Sequence, residues 1–109
     1  MRPVLVKAYG GLSPVPPKAL ADVQAVLESW FIEDAAEMEG DLLRISFEGD
    51  AFPDDEVVDA LKPFLCGKSW GRLDVLDLEA WTLRRWQFGE GRLRVSTATL
   101  NKALDTSLQ

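Results

Sequence analysis

The sequence contains no histidine, a single cysteine and no long apolar run. The absence of histidine removes the side chain most often used as a general base near neutral pH, so serine–histidine and cysteine–histidine hydrolases are excluded. With Cys66 as the one thiol, a structural zinc site within one chain is excluded as well. An intramolecular disulfide cannot form, which favours a reducing compartment, and we predict a cytoplasmic protein.

The apolar segments of the sequence are short. Val4-Leu5-Val6 is interrupted by Lys7, so this stretch is far too short for a signal-peptide core or a membrane span. We therefore predict no targeting segment and no membrane partner. Of the 109 residues, 47% are hydrophobic, and no break in composition divides the chain. This is enough apolar surface for one core, and we predict a single domain over residues 1–109.

Acidic residues are concentrated in the middle of the chain. Twelve of the 18 acids lie between Glu28 and Asp59, where Arg44 is the one basic residue, so this stretch carries a formal charge of −11. From Cys66 onward seven basic residues face five acids, and the sign reverses to +2. We therefore expect an electrically asymmetric molecule.

Hydrophobic periodicity predicts a strand followed by a helix in the first third of the chain. Residues 2–9 alternate weakly and are rich in valine, and the pair Gly10-Gly11 is expected to end this strand. From Lys18 onward, apolar residues recur at helical spacing along a stripe that reaches Trp30 and Phe31.

The middle of the chain predicts further strands and a second helix. The segment from Phe31 to Glu37 fits either an extension of the first helix or a new strand, and we favour the strand. Residues 42–47 alternate in polarity, which is the signature of a half-buried strand. After Pro53, three acids followed by apolar residues indicate a short second helix, because acids are favoured at the positive end of the helix dipole.

The last third predicts three strands, over residues 72–80, 81–88 and 92–97, and a final helical turn formed by Leu100 and Leu104. The full order of elements resembles the split βαβ pattern of ferredoxin-like folds, with an added C-terminal β-hairpin. It implies an α+β protein with two main helices on a mostly antiparallel sheet. Without the strand predicted over Phe31 to Glu37, a related two-layer sandwich of different connectivity results.

The predicted C-terminal hairpin has a defined register. If Glu90-Gly91 form the centre of a two-residue turn, Phe88 pairs with Leu93 and Trp86 pairs with Val95, which puts four apolar side chains on one face. The polar side chains on the opposite face are Arg85, Gln87, Arg92 and Arg94.

No arrangement of residues predicts a catalytic, cofactor or metal site. The run Asp54-Asp55-Glu56 lacks the spacing and the central glycine of a calcium loop, and we interpret these acids as stabilising the start of the second helix. Cys66 follows the expected end of that helix and is assigned a buried, small apolar role. An enzyme that uses carboxylates alone is kept as an alternative.

The leading hypothesis is a non-catalytic protein-binding module that covers a basic surface of a partner protein, such as a toxin or a nuclease. Its acidic half would attract such a partner and speed the encounter. This physical profile is similar to that of immunity proteins, antitoxins and phage-encoded inhibitors. An exposed aromatic anchor is expected at Trp70 or Phe52. The predicted partner-binding residues are Glu33, Asp34, Glu37, Glu39, Asp50, Asp54, Asp55, Glu56 and Trp70.

Three alternative hypotheses explain the same distribution of charge along the chain. The acids could serve solubility alone. The arginine face of the hairpin could bind nucleic acid, which requires exposed aromatics on the open face of the sheet and is disfavoured by the overall acidity. A homodimer could form, with the acidic half of one copy facing the arginine hairpin of the other.

Overall fold

The computed structural model describes residues 4–101, so the predicted strand residues 2 and 3 and the helical residues beyond 101, including Leu104, lie outside the described part. The strands are β1 (Val6–Ser13), β2 (Ala36–Glu39), β3 (Leu42–Gly49), β4 (Trp70–Asp77), β5 (Thr82–Gly89) and β6 (Arg92–Thr99). The helices are α1 (Pro17–Ser29) and α2 (Asp54–Leu61), and a 3₁₀ turn (Lys62–Phe64) follows α2. Neither α1 nor α2 combines the length and the apolar character needed to cross a membrane.

The six strands form one sheet in the order β2-β3-β1-β4-β5-β6, and all neighbouring strands are antiparallel. Strand β1 is central and pairs with both β3 and β4, whereas β2 and β6 form the edges. The predicted α+β class, the two main helices and the antiparallel sheet are confirmed. Strand β2 has four residues, two of them acids, which protects this edge from pairing with other chains.

Both helices pack on the same face of the sheet, where alternate strand residues are buried. The helices contribute Ala19, Val23 and Leu27 from α1, and Val57, Val58 and Leu61 from α2. The buried strand residues beneath them are Ala8, Leu12, Ala36, Leu43, Ile45, Leu73, Val75, Trp86 and Phe88. Within residues 4–101 no helix covers the opposite face, which carries the polar side chains of the same strands.

The prediction that Gly10-Gly11 end the first strand is wrong, because β1 continues through both glycines to Ser13. A Cβ atom on Gly10 would lie 2.1 Å from the carbonyl oxygen of Arg72, and one on Gly71 would lie 1.9 Å from that of Gly11. The backbones of β1 and β4 therefore approach too closely for a side chain at either position. The glycines allow this strand pairing instead of ending the strand.

The end of α1 also differs from the prediction. The helix ends at Ser29, and the chain then turns: the N–H of Phe31 donates to Glu28 O at 3.0 Å, and the N–H of Ile32 donates to Leu27 O at 2.9 Å. These two hydrogen bonds form a Schellman motif. The predicted apolar stripe therefore stops before Trp30 and Phe31, and both aromatic side chains are exposed. The strand expected after them begins only at Ala36.

The β5–β6 hairpin has the predicted register. Phe88 pairs with Leu93 and Trp86 pairs with Val95. The turn residues Glu90 and Gly91 have φ angles of 54° and 70°, as a type I′ turn requires at both central positions. Val95 is nevertheless exposed, because β6 is an edge strand.

Gly10→Ala is expected to destabilise the fold by about 2–3 kcal/mol, because the added methyl group would overlap with the backbone of β4. Gly67→Ala is the matched control, since a Cβ atom there meets nothing within 4 Å. Urea unfolding of both variants measures the difference. Equal stability of the two variants would contradict the close approach of β1 and β4.

Candidate functional site

The most exposed large hydrophobic side chain in the described part of the chain is that of Phe31, which is 95% accessible to solvent. Its φ angle is 59°, and it occupies the position of the Schellman motif that glycine usually fills. The left-handed conformation costs a residue with a side chain about 1–2 kcal/mol. Because the ring is in solvent, packing does not offset this cost. A strained and exposed aromatic residue indicates a function other than stabilising the fold.

Trp30 lies beside Phe31 and is 48% exposed. Its indole N–H donates to Oε2 of Glu56 at 2.5 Å, and this hydrogen bond connects the end of α1 to the first turn of α2. Next to these aromatics is an open depression of about 480 Å³. The apolar residues that line it are Val4, Trp30, Phe31, Ile32 and Phe47, and we call this surface the aromatic end.

Two carboxylates lie at the rim of the aromatic end, Glu48 and Asp50. The hydroxyl of Tyr9 donates to Oε1 of Glu48 at 2.5 Å, and Lys7 Nζ lies 3.7 Å from the same oxygen. The hydrogen bond from Tyr9 and the charge of Lys7 hold the pKa of Glu48 below its usual value. This carboxylate is therefore charged throughout the physiological pH range.

Three of the predicted partner-binding acids lie in or beside the turn between α1 and β2. Glu33, Asp34 and Glu37 are exposed, and none of them forms an ion pair with another residue of the range 4–101. Asp34 and Glu37 line one depression, and Glu33 and Asp34 line an adjoining one. We call these three residues the acidic turn. Since Glu33 is two residues from Phe31, the acidic turn flanks the aromatic end.

Other predicted acids contact side chains of the chain itself. Asp54 is only 8% exposed, and its Oδ2 accepts hydrogen bonds from Trp86 Nε1 at 2.9 Å and from Arg84 Nη1 at 3.3 Å. Asp55 is exposed and lies 3.9 Å from the same guanidinium. On β2, Glu39 forms a 2.7 Å ion pair with an arginine of β3. Asp54 thus joins α2 to β5 within the fold, and its side chain is largely buried.

Asp54→Ala is expected to destabilise the fold by about 2–3 kcal/mol, because it leaves the buried indole N–H of Trp86 without an acceptor. Asp55→Ala removes a neighbouring exposed acid from the same helix turn and is expected to change stability by less than about 0.5 kcal/mol. Thermal and urea unfolding of the two variants test the difference. If both variants are as stable as the wild type, Asp54 does not hold α2 on the sheet.

Trp70 and Phe52 were the two predicted aromatic anchors, and they differ in exposure. Trp70 is 58% exposed. Phe52 is buried and packs on Phe47 with ring centroids 5.3 Å apart, so its assignment as an exposed anchor is wrong. Trp70 pairs with Ser13 at the end of β1, whereas Val6, at its start, pairs with Gly49 near the aromatic end. Trp70 and the aromatic end are therefore at opposite ends of the sheet.

The prediction that Cys66 is buried is also wrong. The helix ends at Leu61, and Cys66 lies in the exposed loop that leads to β4. The buried polar residue of this loop is Ser69, whose hydroxyl donates to Pro14 O at 2.8 Å. Its oxygen also lies 3.3 Å from Sγ of Cys66, and this contact lowers the pKa of the Cys66 thiol below its ordinary value.

Cys66 is expected to react with a thiol reagent such as DTNB in the folded protein, because the thiolate is the reactive form and a lowered pKa increases its population. In Ser69→Ala the pH at which the labelling rate reaches half its maximum is expected to rise. Labelling rates measured between about pH 6 and pH 10 test both statements, since an ordinary thiol pKa is about 8.5. A thiol that reacts only after unfolding would contradict the exposed position.

The aromatic end is the part of this site that sequence reasoning missed. The helical spacing continues through Trp30 and Phe31, and no glycine marks the end of α1. The available signal was that only Ile32 separates the two adjacent aromatics Trp30 and Phe31 from the acidic pair Glu33-Asp34, so a helix continued through the aromatics would pass at once into a strongly polar segment.

Within residues 4–101, no group of three or more acidic, cysteine or histidine side chains is arranged so that it could hold a metal ion. In comparisons with protein-family models, with curated proteins and with solved structures, nothing matched the chain.

Proposed function

We propose that this protein is a non-catalytic binding module that uses the aromatic end and the acidic turn to cover a basic surface of a partner protein. The observation that carries this proposal is Phe31, which is 95% exposed in a left-handed conformation. A fully exposed phenylalanine offers a partner a large apolar side chain at a position already fixed by the end of α1.

The surroundings of Phe31 have the composition of a protein interface. Apolar side chains form the centre, and charged groups form the rim, as in known interfaces. The rim carboxylates are Glu33, Asp34, Glu48, Asp50 and Glu56. Such a rim favours a partner with lysine and arginine around an apolar pocket and increases the rate of encounter.

A toxin or nuclease with a cationic active site would present this kind of basic surface. A small acidic module that covers such a surface needs no catalytic groups of its own. The proposed module is therefore of the same physical type as immunity proteins, antitoxins and phage-encoded inhibitors. A cytoplasmic location belongs to the same proposal, because a free and exposed Cys66 is suited to a reducing compartment.

The fold is proposed to be ferredoxin-like, extended by a hairpin. The order β4-β1-β3-β2, with α1 between β1 and β2 and α2 between β3 and β4, supports this assignment. The β5–β6 hairpin would then be an addition next to β4. Because a fold does not determine a function, the argument for binding depends on the surface residues alone.

Phe31→Gly is expected to raise the free energy of unfolding by about 0.5–1 kcal/mol, because glycine adopts the left-handed conformation without strain. Phe31→Ala keeps the strain and is expected to give no such gain. Urea unfolding of the two variants separates the backbone effect from the loss of the ring. Loss of stability in Phe31→Gly would show that the ring stabilises the fold, against the proposal.

Phe31→Gly is also expected to bind the partner protein much more weakly than the wild type does. Wild-type protein, Phe31→Gly and Trp70→Ala are immobilised and exposed to a native lysate of the organism that encodes the chain. Trp70→Ala is the matched control, because it removes another exposed aromatic side chain at the opposite end of the sheet. A basic protein should be retained by the wild type and by the control, and its affinity for Phe31→Gly should be at least about 30-fold weaker, as for an interface hot spot.

Salt provides an independent check on this proposal. Retention should fall between about 0.05 and 0.5 M salt, since screening weakens attraction between exposed charges. Equal retention by Phe31→Gly and the wild type, a complex indifferent to salt, or no retained protein would each contradict the proposal.

A further inference from the structure

A second depression, of about 540 Å³, lies on the face of the sheet opposite the helices. It extends across β4, β5 and β6, and the residues relevant to its chemistry are Trp70, Arg72, Gln87, Gly89, Arg92 and Arg94. Glu90 is the one acid among its lining residues. The depression thus combines an exposed indole with three guanidinium groups.

The indole of Trp70 lies on the backbone of β5. A Cβ atom on Gly89 would lie 2.7 and 2.8 Å from two carbons of the six-membered ring, so the ring occupies the space that a side chain at this position would fill. One face of the indole is therefore supported by the sheet, while the side chain is still 58% exposed. A supported and exposed aromatic ring is a surface on which a planar group can stack.

Of the three guanidinium groups in the depression, Arg72 pairs with Asp74, with Nε 3.6 Å from Oδ2, whereas Arg92 and Arg94 are not neutralised by the described part of the chain. Arg92 and Arg94 are two residues apart on β6, so their side chains lie on the same face. Neither forms an ion pair or a side-chain hydrogen bond within residues 4–101. By contrast, Arg85 binds both carboxylate oxygens of Asp74, at 2.8 and 3.1 Å.

Glu90 lines this depression and Asp74 pairs with Arg72 beside it, whereas the acids of β2 are distant. Glu37 and Glu39 lie on β2, at the opposite edge of the sheet from β6. Five strand spacings separate these edges, which is about 24 Å. The Debye length at physiological salt is about 8 Å, so the acids at that edge are screened from Arg92 and Arg94. The lining itself carries three arginines against one acid, so the depression is locally positive although the formal net charge of the chain is −6.

We infer that this depression binds a nucleotide unit of a single-stranded nucleic acid, with a base stacked on Trp70 and phosphates held by Arg92 and Arg94. Stacking on an aromatic ring recognises a planar base, and arginine forks recognise phosphate oxygens. An acidic peptide would engage the arginines but would offer no planar base to the indole. This site is separate from the aromatic end and does not depend on the function proposed above.

The test is fluorescence polarisation of a labelled oligothymidylate of eight nucleotides at about 0.05 M salt, where electrostatic binding is strongest. Trp70→Ala is expected to weaken binding about tenfold or more, the effect of losing one base–aromatic stack. Gly89→Val is expected to weaken it similarly by displacing the ring, with every charge retained. Arg44→Ala removes a cation from the same sheet face outside the depression and should leave the affinity within about twofold, since a cation screened by solvent contributes little at this distance.

The salt dependence identifies the phosphate contacts. For single strands, log K falls with log salt with a slope of about −0.7 for each neutralised phosphate, so Arg94→Ala should reduce the slope by about that amount. If free thymidine monophosphate competes as well as the oligomer per nucleotide, the site takes a free nucleotide with the same chemistry. If it competes far more weakly, the site takes a strand.

Three results would overturn this inference. The first is no binding by wild-type protein, and the second is equal binding by Trp70→Ala and Arg44→Ala. The third is displacement of the oligonucleotide by an equal concentration of a glutamate octapeptide, which would assign the depression to carboxylates. Phe31→Gly should bind the oligonucleotide like the wild type, so failure at one site is distinguishable from failure at the other. Urea unfolding confirms that each variant is folded.

Discussion

Strand β1 pairs with β3 on one side and with β4 on the other along nearly its whole length. Its close approach to β4 depends on the absence of side chains at Gly10 and Gly71. This pairing fixes both ends of the sheet. The start of β1 lies near the aromatic end, and its last residue pairs with Trp70. Two surfaces of opposite charge are therefore held apart by the central strand of one sheet.

The charged and aromatic residues divide into those that serve the fold and those that do not. Asp54 is buried, and it accepts hydrogen bonds from Trp86 and Arg84, so its removal leaves the buried indole N–H of Trp86 without an acceptor. Phe31 has the opposite properties, since its conformation costs about 1–2 kcal/mol and its ring contacts little of the protein. Because Phe31 weakens the fold without a packing gain, we propose that it serves binding.

Local patterns predicted the elements whose geometry is set by nearby residues. The β5–β6 register follows from the turn at Glu90-Gly91, and helix α1 follows from its apolar spacing. The predictions that failed concern residues whose roles depend on contacts with distant parts of the chain. The sequence around Gly10 does not distinguish a glycine that ends a strand from one that allows a close approach of two strands. Asp54 is buried and Asp55 is exposed because Asp54 accepts a hydrogen bond from the indole of Trp86, which is 32 residues away in the sequence.

We propose that the aromatic end and the Trp70 depression are separate sites for ligands of opposite charge. The most direct measurement is the amide chemical-shift change in ¹⁵N-labelled protein titrated with a lysine-rich peptide and, in a second titration, with an eight-nucleotide oligothymidylate. The peptide is predicted to shift amides of residues 30–37 and 48–56, and the oligonucleotide those of residues 70–72 and 87–94. Shifts of the same amides by both ligands would contradict the account.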